Sequence, residues 1–436
     1  MIARRRTWLA LLPVLLVGLA CRPERERPDP DDLDAVADRY VVLALSLGHH
    51  DPSYVDAYYG PDSLKAMADR DSLPLAAIRA AAESLVARLG DSVPAYGDSL
   101  VTMRHRYLRT QLGSMVARTR MLGGERFSFD DEARLLYDVT PPSLGESHFD
   151  SLLARLDSLL PGTGPLDGRY QRFRASVTIP PALVDTVFRT AIAACRARTL
   201  EHIALPEGER FDLEYVTGTS WNAYNWYKGG ARSLIQVNTD LPITIDRSVD
   251  LACHEGYPGH HVYNALLERS LVRERGWVEF SMYALFSPQS LIAEGTANYG
   301  IDMAFPGEAR TAFERDSLFH LAGIDTALAA RNGQVRQLVK RLDYARNEVA
   351  RRYLDGAIDS AAARAEMQRL WLSTPDAAAK TVRFIDEYRS YVINYNLGRD
   401  LVADWVERGG ETPRERWTAF GTLLSTPRLP GDLTAR

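Results

Sequence analysis

Residues 253–261 read Cys253-His254-Glu255-Gly256-Tyr257-Pro258-Gly259-His260-His261. Three of the chain's nine histidines fall in this stretch, beside a glutamate. Upstream, Val249, Leu251 and Ala252 are apolar, which predicts that His254 and Glu255 ride on a buried helix. Imidazoles and a carboxylate gathered this closely are a donor set for a transition metal such as zinc. On an unbroken helix His260 would stand about 240° around from His254, on the wrong face. His261 would return to within about 20° of that face but about 10 Å further along, too far to share an ion whose bonds are about 2 Å long. Pro258 and Gly259 offer a way out. Proline removes a helix N–H, and glycine permits turns that other residues resist. A break there folds His260 back toward His254, so His260 is the expected second ligand, with His261 as the alternative.

A third ligand is expected from another helix. Leu291-Ile292-Ala293-Glu294-Gly295-Thr296-Ala297-Asn298-Tyr299-Gly300-Ile301-Asp302 places Glu294 among small apolar residues. A carboxylate there is costly unless it is paired or bound to a metal. The His254-Glu255 pair resembles the start of the zincin HExxH motif, in which two imidazoles share a zinc and the Glu polarises its water. Position 258 is Pro, so the full motif is absent. In glutamate zincins an acid one turn after the third ligand steadies the first His. Here Asn298 stands in that place, with Asp302 a further turn on, a weaker outer shell.

HEGYPGHH followed by AEGTANYGID resembles the bacterial domain-of-unknown-function 885 family, many of whose members are provisionally described as lipoproteins. Its recurrent pattern is HExxPGHH followed by an EGxAxY-type segment. That family is itself similar to helical gluzincin metallopeptidases, such as the thermostable carboxypeptidases and the thimet-type oligopeptidases. The resemblance is specific over residues 211–302, and Tyr395-Asn396-Leu397-Gly398 resembles a C-terminal family segment. It implies a zinc site on His254, His260 and Glu294, Glu255 as the base, and a mainly α, bilobed, zincin-like fold with a small β element beside the active-site helix. Phenols in related peptidases stabilise the tetrahedral oxyanion, and Tyr395 is the candidate for that role.

Around this centre the chain reads as helix. Leu33, Val36, Ala37, Tyr40, Val41 and Ala44 keep a three-and-four spacing, and similar stripes recur to Leu200. Strand alternation appears at residues 211–216 and, less cleanly, at 233–238. The run Leu234–Thr239 resembles the edge strand along which zincins lay an extended peptide, with an ordinary core strand as the alternative. The N-terminus has the form of a signal peptide over residues 1–20: Arg4-Arg5-Arg6, then an apolar run from Trp8 to Ala20 too short to span a bilayer. It ends Val17-Gly18-Leu19-Ala20-Cys21, which resembles a bacterial lipobox with Cys21 as the lipidated residue. Residues 21–32 read as a flexible tether, 33–205 as an N-terminal helical lobe, and 206–436 as the metal-binding lobe.

Among 436 residues, 46% are hydrophobic and 25% charged, with a net charge of −5. That balance argues against a nucleic-acid binder and supplies ample core. Of the interior cysteines, Cys195 and Cys253, two inert buried thiols are expected rather than a pair. His49-His50 reads as a loop pair, Tyr388, Tyr391 and Tyr395 as a packing stripe, and Arg383 and Arg389 as solvated charges. Trp221, Tyr224, Trp226 and Tyr227 suit a cleft wall and a packed core equally. The expected protein is a zinc-dependent hydrolase, a peptidase at the bacterial envelope, with a peptide as substrate and the membrane as anchor through Cys21. A catalytically silent binding lipoprotein and a non-peptide amidase or esterase are the alternatives.

Overall fold

The computed structural model describes residues 30–219 and 221–434. The leader and Cys21 lie outside them. The first helix, Pro30–Gly48, begins inside the expected tether. Its apolar stripe behaves as its spacing predicts: Leu33, Val36, Ala37, Tyr40, Val41 and Ala44 are all buried. They pack against the helices Leu75–Leu89 and Ser99–Leu122. One continuous apolar cluster then runs from Leu33 to Leu433, so the first and last helices share a core.

Among the described residues helices predominate, and five short strands form two small sheets. β1 (Val55–Tyr58) pairs antiparallel with β5 (Met282–Ala284), tying the N-terminal helices to the segment that precedes Glu294. β2 (Arg210–Val216), β3 (Ala223–Tyr227) and β4 (Arg232–Asn238) form the second sheet, in the order β2-β4-β3. β4 runs parallel to β2 and antiparallel to β3. This corrects the edge-strand expectation: Leu234–Asn238 lies in the central strand, bonded on both sides, and β3 is the exposed edge on the cleft side. Strand order is a long-range property, and alternation within one strand does not reveal it.

Two long helices carry the back of the site. The Glu294 helix (Pro288–Ala304) crosses the Tyr395 helix (Ile393–Arg408) in the most extensive helix–helix contact of the fold. Glycines make that crossing close. A Cβ at Gly295 would meet Gly398 O at 2.5 Å, and one at Gly398 would meet Leu291 O at 2.8 Å. From the other side, Tyr107 donates to Gln289 Oε1 (2.8 Å), so the N-terminal helices brace the start of the Glu294 helix. Below it, the fully buried Glu279 receives a two-pronged ion pair from Arg104, at 2.6 and 3.0 Å.

Two side-chain expectations change here. Cys195 and Cys253 are not free thiols. They form a disulfide, with Cα atoms 5.7 Å apart, that fastens the helix Val184–Leu200 to the residue before His254. Arg389 is no solvated charge, since its Nε donates to the buried Glu132 at 2.6 Å. His49 and His50 do turn outward, toward Asp69 and the carbonyl of Leu73.

Gly398→Ala should destabilise the protein by about 1–3 kcal/mol, because neither backbone at the crossing can withdraw without opening the core. Denaturant unfolding of the variant checks this, and an unchanged midpoint would contradict the close-crossing account.

Candidate metal centre

The active-site helix does not run through. Ile245–Leu251 is α-helical, Ala252–Gly256 widens into a π turn, and a new helix starts at His260 (His260–Leu267). The amide of Gly259 returns to Cys253 O at 3.0 Å, so the chain doubles back within six residues. Any Cβ at position 259 would run into the carbonyl oxygens of Cys253 and His254, so only glycine fits. Pro258 packs against Gly300 of the Glu294 helix, where a Cβ would stand 3.0 Å from the proline ring.

The result of this fold-back is a pair of imidazoles whose Nε2 atoms lie 3.1 Å apart. Glu294 Oε2 lies 3.3 Å from His254 Nε2, and its Oε1 lies 3.8 Å from His260 Nε2. Ligand atoms of a tetrahedral zinc, each about 2.0–2.1 Å from the ion, are about 3.3 Å from one another. These spacings match. Glu294 Oε2 is buried and accepts no hydrogen bond, while Tyr391 donates to Oε1 at 2.8 Å. An orphaned carboxylate oxygen facing two ring nitrogens is a donor set suited to a cation.

Protonation differs among these groups. Burial, reinforced by neighbouring His254, drives the His260 imidazole down to about 4, so its lone pair is free near neutrality. Burial also opposes charge on His254, but Glu294 and Glu255 outweigh it and hold that ring above its usual value. For Glu294, burial is overcome by the close His254 and His260 imidazoles and by the Tyr391 hydroxyl, and the carboxyl stays below its ordinary value. Glu255 differs. Burial pushes it up to about 7, with Glu294 adding to the effect and His254 opposing it.

Glu255 presents a carboxylate oxygen within 4.8 Å of ring nitrogens of His254 and His260. Two carboxylates therefore approach the imidazoles, and their surroundings divide the roles. Glu294 is clamped by Tyr391, whereas the Glu255 side chain has no hydrogen-bond partner among the described residues and only its backbone is held, by Asn225 Nδ2 at 2.7 Å. Tyr395 lines the same cleft, in edge contact with Tyr391 and with Arg346 against its ring, and the fields of Glu294 and Glu255 reach its phenol.

His261 is turned away from the other two histidines. Its Nδ1 accepts from Ser233 Oγ at 2.9 Å and its Nε2 donates to Glu209 at 3.1 Å, so both nitrogens are spoken for. Burial pushes the Glu209 carboxyl up, but hydrogen bonds from His261, Tyr257 and Arg196 prevail and hold it down to about 2. Asn298 does not reach an imidazole either. Its amide bridges Glu294 O and Tyr395 O, stapling the two long helices together. Asp302 is bound by Lys340 and Arg399. Nothing in the sequence singles out Glu209, Ser233 or Asp56, and Tyr391 reads there as packing; a phenol four residues from Tyr395 on a tyrosine-rich stripe is the one available signal.

These groups open into a cleft of roughly 1480 Å³. Asn222 and the Ala223–Asn225 part of β3 form part of its wall, and Trp221, Tyr224 and Tyr227 line it, whereas Trp226 bonds Gln236 across the sheet. Asn238 N bonds Asn222 O and Lys228 N bonds Arg232 O, so the even-numbered residues of β3 face β4. The backbone groups of Ala223 and Asn225 point to the outer edge.

No family model matches the chain, and no curated protein matches it significantly. Among solved structures it is similar to a protein provisionally described as a lipoprotein, from Colwellia psychrerythraea. The identity is 14% and the TM-score 0.52, over 84% of this chain and 70% of that one. That likeness shows a shared fold. An M32 carboxypeptidase from Deinococcus radiodurans R1 aligns over 93% of each chain at 12% identity, but with a TM-score of 0.35 it carries no argument.

Glu209 gives a pH test. Its folded value of about 2 lies below the ordinary 4.5, so the folded state binds fewer protons; the stability this supplies is present above 4.5 and lost as pH falls toward 2. Glu209→Gln should melt below wild type near pH 7, with the gap narrowing as pH falls below 4.5 toward 2. Melting curves that stay parallel across that range would contradict the assignment.

Proposed function

We propose that this chain is a zinc-dependent hydrolase of the peptidase class, a relative of the domain-of-unknown-function 885 family, held at the bacterial cell envelope by lipid on Cys21. One observation carries the reading: two part-buried imidazole nitrogens and an orphaned Glu294 oxygen converge at ligand spacing beside a Glu255 carboxylate left without a partner. His254, His260 and Glu294 would hold the metal. When bound, zinc supplies a Lewis acid and lowers the pKa of a water.

The remaining work falls to the chain's own side chains. Glu255 takes the proton from the attacking water and returns it to the leaving amine, a task suited to a carboxyl whose affinity for protons is raised toward neutrality. Tyr395 donates to the oxyanion that forms at the scissile carbonyl. The outer edge of β3 offers Ala223 and Asn225 backbone groups to an extended substrate, which favours a peptide over other amides. Tyr391 keeps Glu294 from rotating, and the Glu209–His261–Ser233 chain fixes the helix from which His260 projects. The lipoprotein description of the Colwellia psychrerythraea structure supports the envelope assignment, as does the form of residues 1–21. No helix among the described residues is long and apolar enough to cross a membrane.

The full chain loaded with zinc and offered a mixture of short peptides should cleave a subset of them. Glu255→Gln should keep its metal and lose about 10²–10⁴-fold in turnover. Loss of metal together with activity in that variant would make Glu255 a ligand instead, and a metal-loaded wild type inert to every peptide would remove the peptidase reading.

A further inference from the structure

Asp56 is a carboxylate that the mechanism leaves unused. It sits in β1, where the pairing with β5 slips: Val55 is opposite Ala284 and Ala57 is opposite Tyr283, so Asp56 is an extra residue in the ladder. A bulge of this kind re-aims a side chain, here into the cleft that holds the two imidazoles. Among the described residues the Asp56 carboxylate has no hydrogen bond and no ion pair. The charged groups that reach it are Glu294 and Glu255, both of its own sign, and the phenols of Tyr283 and Tyr388 also feel its field. Burial, then Glu294 and Glu255, push its carboxyl up to about 8.

A carboxylate set beside two others is unfavourable without a counter-charge, and no described side chain forms an ion pair with it. Metal on the imidazoles would satisfy Glu294, and Glu255 is engaged with the attacking water. Asp56 alone lacks a partner of opposite charge. We infer that Asp56, aimed into the cleft by the β1 bulge, is the acceptor for an ammonium group of a short peptide substrate. This rests on the peptidase reading above and adds a substrate class to it: peptides with a positive charge close to the scissile bond. The ammonium can come from the peptide's free N-terminus or from a lysine side chain.

Calorimetric binding separates these, with zinc-loaded full chain carrying Glu255→Gln so that no peptide is consumed, alone and combined with Asp56→Asn. The probes are tetraalanine, its N-acetyl derivative, its C-terminal amide, and an N-acetylated peptide containing lysine. With Asp56 present, N-acetylation should weaken binding at least about tenfold, and amidation should leave the Asp56 contribution unchanged. Asp56→Asn should bind free and acetylated peptides alike. Recovery of affinity by the lysine peptide would identify the side chain as the source, and no recovery the N-terminus. Equal binding of free and acetylated peptides to the Asp56 protein would overturn the inference, as would a preference that survives Asp56→Asn, or no binding at all. Two zinc ions per chain falling to one in Asp56→Asn would overturn it too, by making Asp56 a metal ligand. Turnover is read separately in protein with Glu255 intact. Discrimination without turnover would retain the Asp56 assignment and remove the peptidase reading, and turnover without discrimination would do the reverse.

Discussion

The fold-back at Gly259 is the constraint on which the site depends. Without it, six residues of helix would carry His260 to the far side of the axis from His254. With it, the two ring nitrogens face each other at 3.1 Å in a buried pocket, an arrangement that two neutral imidazoles tolerate only with a proton or a cation near both. The turn is enforced from several directions. The Cys195–Cys253 disulfide holds the strand of chain entering it, His261 locks the helix leaving it to Ser233 and Glu209, and Pro258 wedges against Gly300. Each contact joins the turn to a different segment, so the position of His260 is a property of the whole lobe.

Three of the carboxylates lining the cleft, Glu294, Glu255 and Asp56, feel one another's fields and are separated in role by what touches them. Glu294 has a phenol on one oxygen and an imidazole near the other, which favours the charged form and a fixed orientation. Glu255 has burial and a like charge, which favours readiness to accept a proton. Asp56 has burial and two like charges, and its carboxylate forms no ion pair among the described residues. Same chemistry, different surroundings, and therefore different tasks, is the pattern expected where acid–base and binding duties must coexist near neutral pH.

How much of this the sequence disclosed follows from the range of each interaction. The apolar stripe at Leu33–Ala44 and the interruption at Pro258–Gly259 obey local rules, and both were legible, as was the fold-back that brings the His260 ring beside His254. The central position of β4, the partnership of Cys195 with Cys253, and the bond from Tyr391 to Glu294 join segments 10 to nearly 100 residues apart, and no local pattern encodes them. β1 is four residues long, too short for alternation to register, so Asp56 passed unnoticed at its bulge. Asn298 was assigned by its place in a motif; its amide turned out to bridge two backbones.

The most direct test of the central claim is an anomalous diffraction measurement at the zinc edge, on crystals of the full chain grown with zinc. The account predicts one strong peak per chain, about 2 Å from His254 Nε2, His260 Nε2 and a Glu294 oxygen, with His261 still bonded to Glu209. A well-ordered structure with no peak between these groups, or with the peak on His261, would contradict it.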